Sequence, residues 1–142
     1  MTKTYRLVQQ ENPQADDIVT IRKNLQAYNL AQVGYGDEKQ LAFFIRNQED
    51  TIVGGIVGWA YWDWLAVDFL WVHEDLRSQG YGSQLLAAIE AAAIARGCKN
   101  ALLDTFSFQA PEFYRKRGYE VYGELHDFPP GHTRYFMTKV IG

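Results

Sequence analysis

Residues 76–86 read LRSQGYGSQLL: an arginine three positions ahead of a Gly-x-Gly pair, then at once an apolar, helix-forming stretch. Upstream, WLAVDFLWV (64–72) is aromatic and aliphatic and reads as a strand. Downstream, Leu85, Leu86, Ile89, Ala92 and Ala93 recur every three to four positions between Gly80 and Arg96. The rest of that stretch is largely alanine and polar, which predicts an amphipathic helix closed by Gly97. NALLDTF (100–106) follows as a nearly continuous apolar run, suited to a strand covered on both faces. Residues 64–105 are thus a strand-helix-strand unit with a glycine turn where its helix begins.

Working outward, TYRLV (4–8) alternates polar and apolar residues and predicts a short first strand. Asn12 with Pro13 next to it is a helix start, and Ile18, Ile21, Leu25 and Tyr28 lie at helical spacing in a helix over about 15–31 that Gly34 and Gly36 end. LAFFIRNQEDTIVGGIVGWAYW (41–62) reads as two strands joined by a polar turn at 47–50, with Gly54, Gly55 and Gly58 weakening or bulging the second. APEFYRKRGY (110–119) holds a helix of two or three turns stopped by Gly118. YEVYGEL (119–125) and RYFMTKV (134–140) read as two final strands, joined by the proline-fixed loop DFPPGHT (127–133). The order predicts one mixed α/β domain over 1–142, its strand-helix-strand unit built into a mainly antiparallel sheet.

Composition narrows the function. With 142 residues, 47% hydrophobic and 22% charged, the chain has the size and make-up of one globular domain. A formal charge of −3 argues against a nucleic-acid partner, which would call for clustered Lys and Arg. The lone Cys98 makes no internal disulfide, and MTKTYRLVQQENPQADD lacks the apolar core of a signal peptide, so the expected setting is cytoplasmic. The apolar run YWDWLAVDFLWV is broken by Asp63 and Asp68, so no membrane insertion is expected. The histidines 73, 126 and 132 have no metal-like spacing, and no metal is proposed.

Gly80 and Gly82 let a backbone turn its amide hydrogens to one point at a helix N-terminus, where free N–H groups and the helix dipole favour an anion such as phosphate. Arg77 adds charge there and Ser83 a hydroxyl. The stretch is no Walker A loop, since no Lys follows the glycines, and no dinucleotide fingerprint, since Leu85 stands where a third glycine belongs. Taken alone, the glycines also fit a tight strand-to-helix turn without a ligand.

LWVHEDLRSQGYGSQLL (70–86) resembles motif A of the GNAT acetyltransferase superfamily, Arg/Gln-x-x-Gly-x-Gly/Ala, through Arg77, Gly80 and Gly82. FQAPEFYRKRGYEVYG (108–123) is similar to that family's motif B, and the strand-helix order agrees over nearly the whole chain. LLDTFSFQAPEFYRKRGY (102–119) further resembles a subgroup of small bacterial GNAT proteins. The resemblance implies a central, mainly antiparallel sheet of about seven strands with helices on both faces, and acetyl-coenzyme A as cosubstrate. Backbone amides across Arg77, Ser78, Gln79, Gly80, Tyr81, Gly82 and Ser83 would hold the diphosphate. Main-chain groups of Leu70, Trp71 and Val72 would pair with the pantetheine arm, in a gap where this strand splays from the one at about 100–105. An N–H near Leu70 would polarise the thioester carbonyl. Ser107 stands where many members carry an Asn that contacts the coenzyme, a departure that puts that contact in doubt.

Transfer to an amine requires a neutral nucleophile. A lysine-like amine, with pKa about 10.4, lies roughly 4 to 5 kcal/mol from neutrality at pH 7, so a base or a water chain leading to one is expected. Tyr114 matches the motif B tyrosine that the family uses as acid toward the departing thiolate; the bland alternative is a ring packed on the sheet. Asp68, mid-strand among apolar neighbours, is a candidate base, an amine ligand or a buried structural partner, with Asp104 as second candidate. The family's carboxylate on this strand falls at Ala66, two residues before Asp68 and on the same face.

The acceptor implied is a primary amine of a small molecule or a protein. The aromatic cluster Trp59, Tyr61, Trp62, Trp64, Phe69 and Trp71 is core, acceptor wall or dimer contact, so a homodimer stands as one reading. A non-catalytic module binding coenzyme A or an acyl derivative is the alternative from another class.

Overall fold

The computed structural model describes residues 3–142, which divide into a first unit ending at Gly36 and a second from Asp37 to Gly142. In the first unit, helix α1 spans Ala15–Val33. Acidic Asp16 and Asp17 in its first turn suit the positive helix end, and Gly34, at φ 89°, closes it by donating its N–H to Leu30 O at 2.8 Å. The strand predicted over 4–8 does not form. Polar-apolar alternation is necessary for a half-buried strand but not sufficient, because a strand exists only through ladder bonds to a neighbour, and TYRLV is in no ladder. Its loss leaves six strands where about seven were expected.

The second unit is that sheet with two helices. β1 (Lys39–Arg46), β2 (Ile52–Tyr61), β3 (Trp64–Val72), β4 (Asn100–Phe106), β5 (Glu120–His126) and β6 (Thr133–Val140) lie in the order β1-β2-β3-β4-β6-β5. All neighbours are antiparallel except β3 and β4, the pair joined through α2 (Tyr81–Ala95). The β1–β2 turn is fixed by Asn47, whose Oδ1 accepts from the N–H groups of Glu49 and Thr51 at 2.9 and 3.0 Å. Helix α3 (Pro111–Arg115) is shorter than the two or three turns predicted, because the chain turns out of the helix through Lys116 to Gly118, at φ 94°.

The core lies under α2, which turns Leu85, Leu86, Ile89 and Ala93 onto Ile56, Leu65, Val67, Ala101 and Met137 of the sheet. β4, read as covered on both faces, alternates instead: Ala101, Leu103 and Thr105 are buried while Asp104 is exposed. The aromatic cluster is split in the same way, with Trp64, Phe69 and Trp71 exposed. Cys98 is buried, as a packing residue should be.

Two irregularities in β3 place the site. The β2–β3 register pairs Val57 with Phe69 but Gly58 with Val67, so Asp68 is the extra residue of a β-bulge. Across it the core-facing positions switch from Leu65 and Val67 to Leu70 and Val72. Gly58 permits the close approach: a Cβ there would lie 2.6 Å from Ala66 O. The parallel ladder between β3 and β4 then runs for three pairs only, Trp64 with Asn100, Leu65 with Ala101 and Ala66 with Leu102. Beyond Ala66, β3 stays with β2 and β4 with β6, and the two strands part.

Candidate active site

The parting strands open a cleft of about 820 Å³. One wall is Val67 to Val72 of β3, the other Leu103, Asp104 and Thr105 of β4; the glycine turn stands at one end and Phe113, Tyr114 and Arg117 close the side. Which main-chain groups face it follows from strand alternation. His73 donates its N–H to Val53 O of the neighbouring chain segment at 2.8 Å. Counting back by twos, Trp71 and Phe69 also point their N–H and C=O toward β2, while Leu70 and Val72 point theirs into the cleft. Val72 O accepts a bond from Arg77 Nε at 3.2 Å, as a cleft-facing carbonyl could. Of the three residues expected to meet a pantetheine arm, Leu70 and Val72 turn their main-chain groups into the cleft, the Val72 carbonyl being held by Arg77, and Trp71 uses its own within the sheet.

After β3 the chain makes a short 3-10 turn, Glu74–Leu76, begun by His73, whose Nδ1 accepts from Asp75 N–H at 3.1 Å. Ser78 and Gly80 then take left-handed conformations, φ 64° and 88°. Gly80 is the N-cap of α2 and offers no side chain to it, so the amides of Tyr81, Gly82 and Ser83 in the first turn are left for an anion. Gly82 lets Phe113 pack closely on the turn: a Cβ there would come 3.3 Å from Cζ of Phe113. Arg77, Ser78, Gly80, Tyr81, Gly82 and Ser83 all line the cleft. Gln79 and Ser107 are not among its lining residues: Gln79 Nε2 donates to Asp75 O at 3.1 Å, and Ser107 Oγ accepts from Thr133 N–H at 3.0 Å.

Tyr114 is 8% exposed. Burial, helped by the charge of Asp104, pushes its hydroxyl up to about 12, so it holds its proton throughout the neutral range. Its ring meets Phe113 and Tyr119 edge-on, with centroids 5.1 and 5.9 Å away. Behind it Tyr119 donates its hydroxyl to Glu90 Oε2 at 3.1 Å, and Lys139 Nζ pairs with Glu90 Oε1 at 2.8 Å. This polar cluster ties α2, the residue just before β5, and β6 together.

Asp68 and Asp104 face the cleft from opposite walls. Partial burial, and then the negative charge of Asp104, raise the Asp68 carboxyl from its ordinary value. Asp104 has a partner of its own, since Arg134 Nε donates to its Oδ1 at 2.9 Å. That guanidinium stands 5.0 to 5.4 Å from the ring centroids of Phe106, Phe128 and Phe136. The two carboxylates therefore differ: Asp104 is paired with an arginine fixed among aromatics, and Asp68 is the one pushed toward keeping its proton. Sequence reading left Arg134 either bordering the acceptor pocket or solvated in the DFPPGHTRYF segment. It missed Phe113 and Arg117, although their spacing of four within FYRKR marks two side chains on one helical face.

No group of three or more His, Cys, Asp or Glu side chains is placed to hold a metal among the described residues. None of the helices there is long and apolar enough to cross a membrane.

A chain of this fold, with such a cleft, is an acyltransferase by its relatives. Residues 3–119 match the model of the Acetyltransferase (GNAT) family, and the chain belongs to that family. The Blasticidin-S acetyltransferase of Streptomyces morookaense is 39% identical over 99 residues, covering 69% of this chain and 73% of that one. An acetyltransferase from Bacillus cereus ATCC 14579 superposes with a TM-score of 0.80 at 40% identity, covering 94% of this chain and 97% of the other. An aminoglycoside 6'-N-acetyltransferase complexed with coenzyme A shares the fold at 19% identity, with a TM-score of 0.64 over 89% of this chain and 88% of its own.

Proposed function

We propose that the protein is an acetyl-coenzyme A dependent N-acetyltransferase that passes the acetyl group directly to a primary amine of a small cationic molecule. The observation that carries this reading is the parting of β3 and β4 after Ala66, which opens one continuous cleft from the glycine turn to Tyr114. The donor's diphosphate rests on the first-turn amides of α2 beside Arg77. Its pantetheine amides bond the cleft-facing main chain of Leu70 and Val72, as an added strand would. The Leu70 N–H is then the donor placed for the thioester carbonyl oxygen, where negative charge develops as the amine attacks.

Tyr114 serves as the acid. With its hydroxyl at about 12, the phenol is protonated at working pH and gives its proton to the departing thiolate. Asp68, exposed in the bulge on the acceptor side, takes the proton from the incoming ammonium, directly or through one water. Asp104, paired with Arg134, contributes negative field and shape rather than a proton site. The two carboxylates and exposed aromatic faces of this wall favour a cation, in keeping with relatives named for blasticidin S and aminoglycosides. The donor site lacks the coenzyme contact that an Asn at position 107 would supply.

Free-thiol release from acetyl-coenzyme A, assayed with a panel of small cationic amines and of peptides, tests the reading. Turnover with at least one small amine is expected. Transfer confined to peptide amines would overturn the acceptor class, and coenzyme binding without transfer to any amine would overturn the activity.

A further inference from the structure

From Asp37 onward the arginines fall into two groups. Arg46, Arg96, Arg115 and Arg134 each pair with a carboxylate. Arg77 and Arg117 pair with none, and these are the two that line the cleft. A guanidinium stays charged at every accessible pH, so an arginine at a cleft wall without an acidic partner is matched to an anion that arrives with a ligand. For Arg77 that anion is the diphosphate proposed at the glycine turn. Arg117 comes from another part of the chain, three residues beyond Tyr114 and just past α3, and nothing so far gives it a task.

Its surroundings are built. Nη1 donates to Phe113 O at 2.8 Å, and Cζ lies 3.8 Å from the centroid of the Phe113 ring. The same ring packs on Gly82 in the first turn of α2. Guanidinium, ring and glycine turn therefore form one stack at the phosphate end of the cleft. With Nη1 engaged, the edge made by Nε and Nη2 is the one left, and Nε is a buried side-chain nitrogen without an acceptor, the only such buried side-chain atom among the described residues. A desolvated, unpaired N–H on a charged group is costly, which calls for an explanation by a ligand or water. That edge carries two parallel N–H bonds and fits two oxygens of a phosphate.

We propose that Arg117 is a second phosphate-binding residue, its Nε–Nη2 edge closing on a phosphate of coenzyme A across the Phe113 stack from the glycine turn. The inference rests on the donor reading above. The coenzyme offers two sources of the same chemistry, the diphosphate and the ribose 3'-phosphate. Arg117 is half-buried and lines the cleft wall.

Calorimetric titration of wild type, Arg117→Gln and Arg117→Lys with coenzyme A and with 3'-dephospho-coenzyme A tests it, with S-acetylpantetheine as a phosphate-free acetyl donor followed kinetically. Arg117→Gln should weaken coenzyme A binding by about 10- to 100-fold while leaving kcat/KM for S-acetylpantetheine unchanged. Arg117→Lys, which keeps the charge and stem but not the fork, should fall between. A loss that disappears with 3'-dephospho-coenzyme A assigns the contact to the ribose phosphate, and one that persists assigns it to the diphosphate; either supports the proposal. Unchanged affinity in both variants, or an equal loss with S-acetylpantetheine, overturns it while the donor reading stands. Wild type that gives no heat with coenzyme A overturns the donor reading itself.

Discussion

Replacing Gly58 by alanine puts a methyl group against the main chain that opens the cleft. The new Cβ would lie 2.6 Å from Ala66 O, 3.2 Å from Ile89 Cδ1 and 3.3 Å from Val67 Cα. The isoleucine methyl can turn aside, but the carbonyl belongs to the last β3 residue paired with β4 and moves only if the strand does. Overpacking of this kind costs typically 1–3 kcal/mol, and a backbone clash belongs at about 3. Against it stands the smaller entropy of an unfolded chain with alanine, about 0.4–1 kcal/mol. The net loss is roughly 2–2.5 kcal/mol, or a fall in Tm of about 5–10 °C for a chain of this size. Because the displaced segment adjoins Asp68 and Leu70, kcat/KM should drop by about tenfold or more even well below the transition. Calorimetry and urea melts read the stability, and thiol release at low temperature reads the activity. Gly123→Ala is the control, since its Cβ meets only Phe136, at 3.9 Å, and should change Tm little. A Gly58→Ala protein that melts within about 2 °C of the parent refutes the close approach and the geometry drawn from it.

Three further outcomes are expected. Tyr114→Phe should lower kcat by about 100-fold or more with the coenzyme Kd unchanged, measured by turnover and calorimetry; equal turnover discards the acid role. The acid limb of the kcat/KM profile should lie above the ordinary aspartate value, since burial and Asp104 both raise Asp68. Asp104→Asn, by removing a negative neighbour, should move that limb to lower pH and Asp68→Asn should abolish it, so a limb unmoved in Asp68→Asn rules out this base. Lys139→Met leaves Glu90 largely buried with Tyr119 as its remaining partner and should cost about 2–4 kcal/mol in urea unfolding; a loss under about 1 kcal/mol means the pair contributes little.

The strand-helix-strand unit was legible in the sequence because its signals are local: periodic Leu and Ala between Gly80 and Gly97, flanked by apolar runs. The glycine turn and Tyr114 were singled out through the resemblance to the GNAT motifs, since taken alone each fitted a purely structural role, and both line one cleft. What escaped depends on pairing. TYRLV has a strand's alternation, yet no local pattern tells whether a partner strand exists. The bulge at Asp68 is a mismatch between two strands, visible only once both are laid side by side, although Gly58 hinted at it. Arg117 was passed over because its meaning lies in what it lacks: YRKR reads as solvated charge until Arg115 is seen to pair with Glu112 and Arg117 with no acid.

The bond from Arg77 to the Val72 carbonyl has a consequence for how a donor enters. On the proposed donor placement, the acceptor atom for an incoming amide is already in use by the same side chain that would meet the diphosphate. Docking thus becomes an exchange: as the anion draws the guanidinium away, the carbonyl is released for the arm that follows. A fragment carrying only the arm has no means to trigger this release, and one carrying only the phosphates leaves the freed oxygen to water. The two halves of the donor should consequently bind together more tightly than their separate affinities imply, with a single side chain as the coupling element.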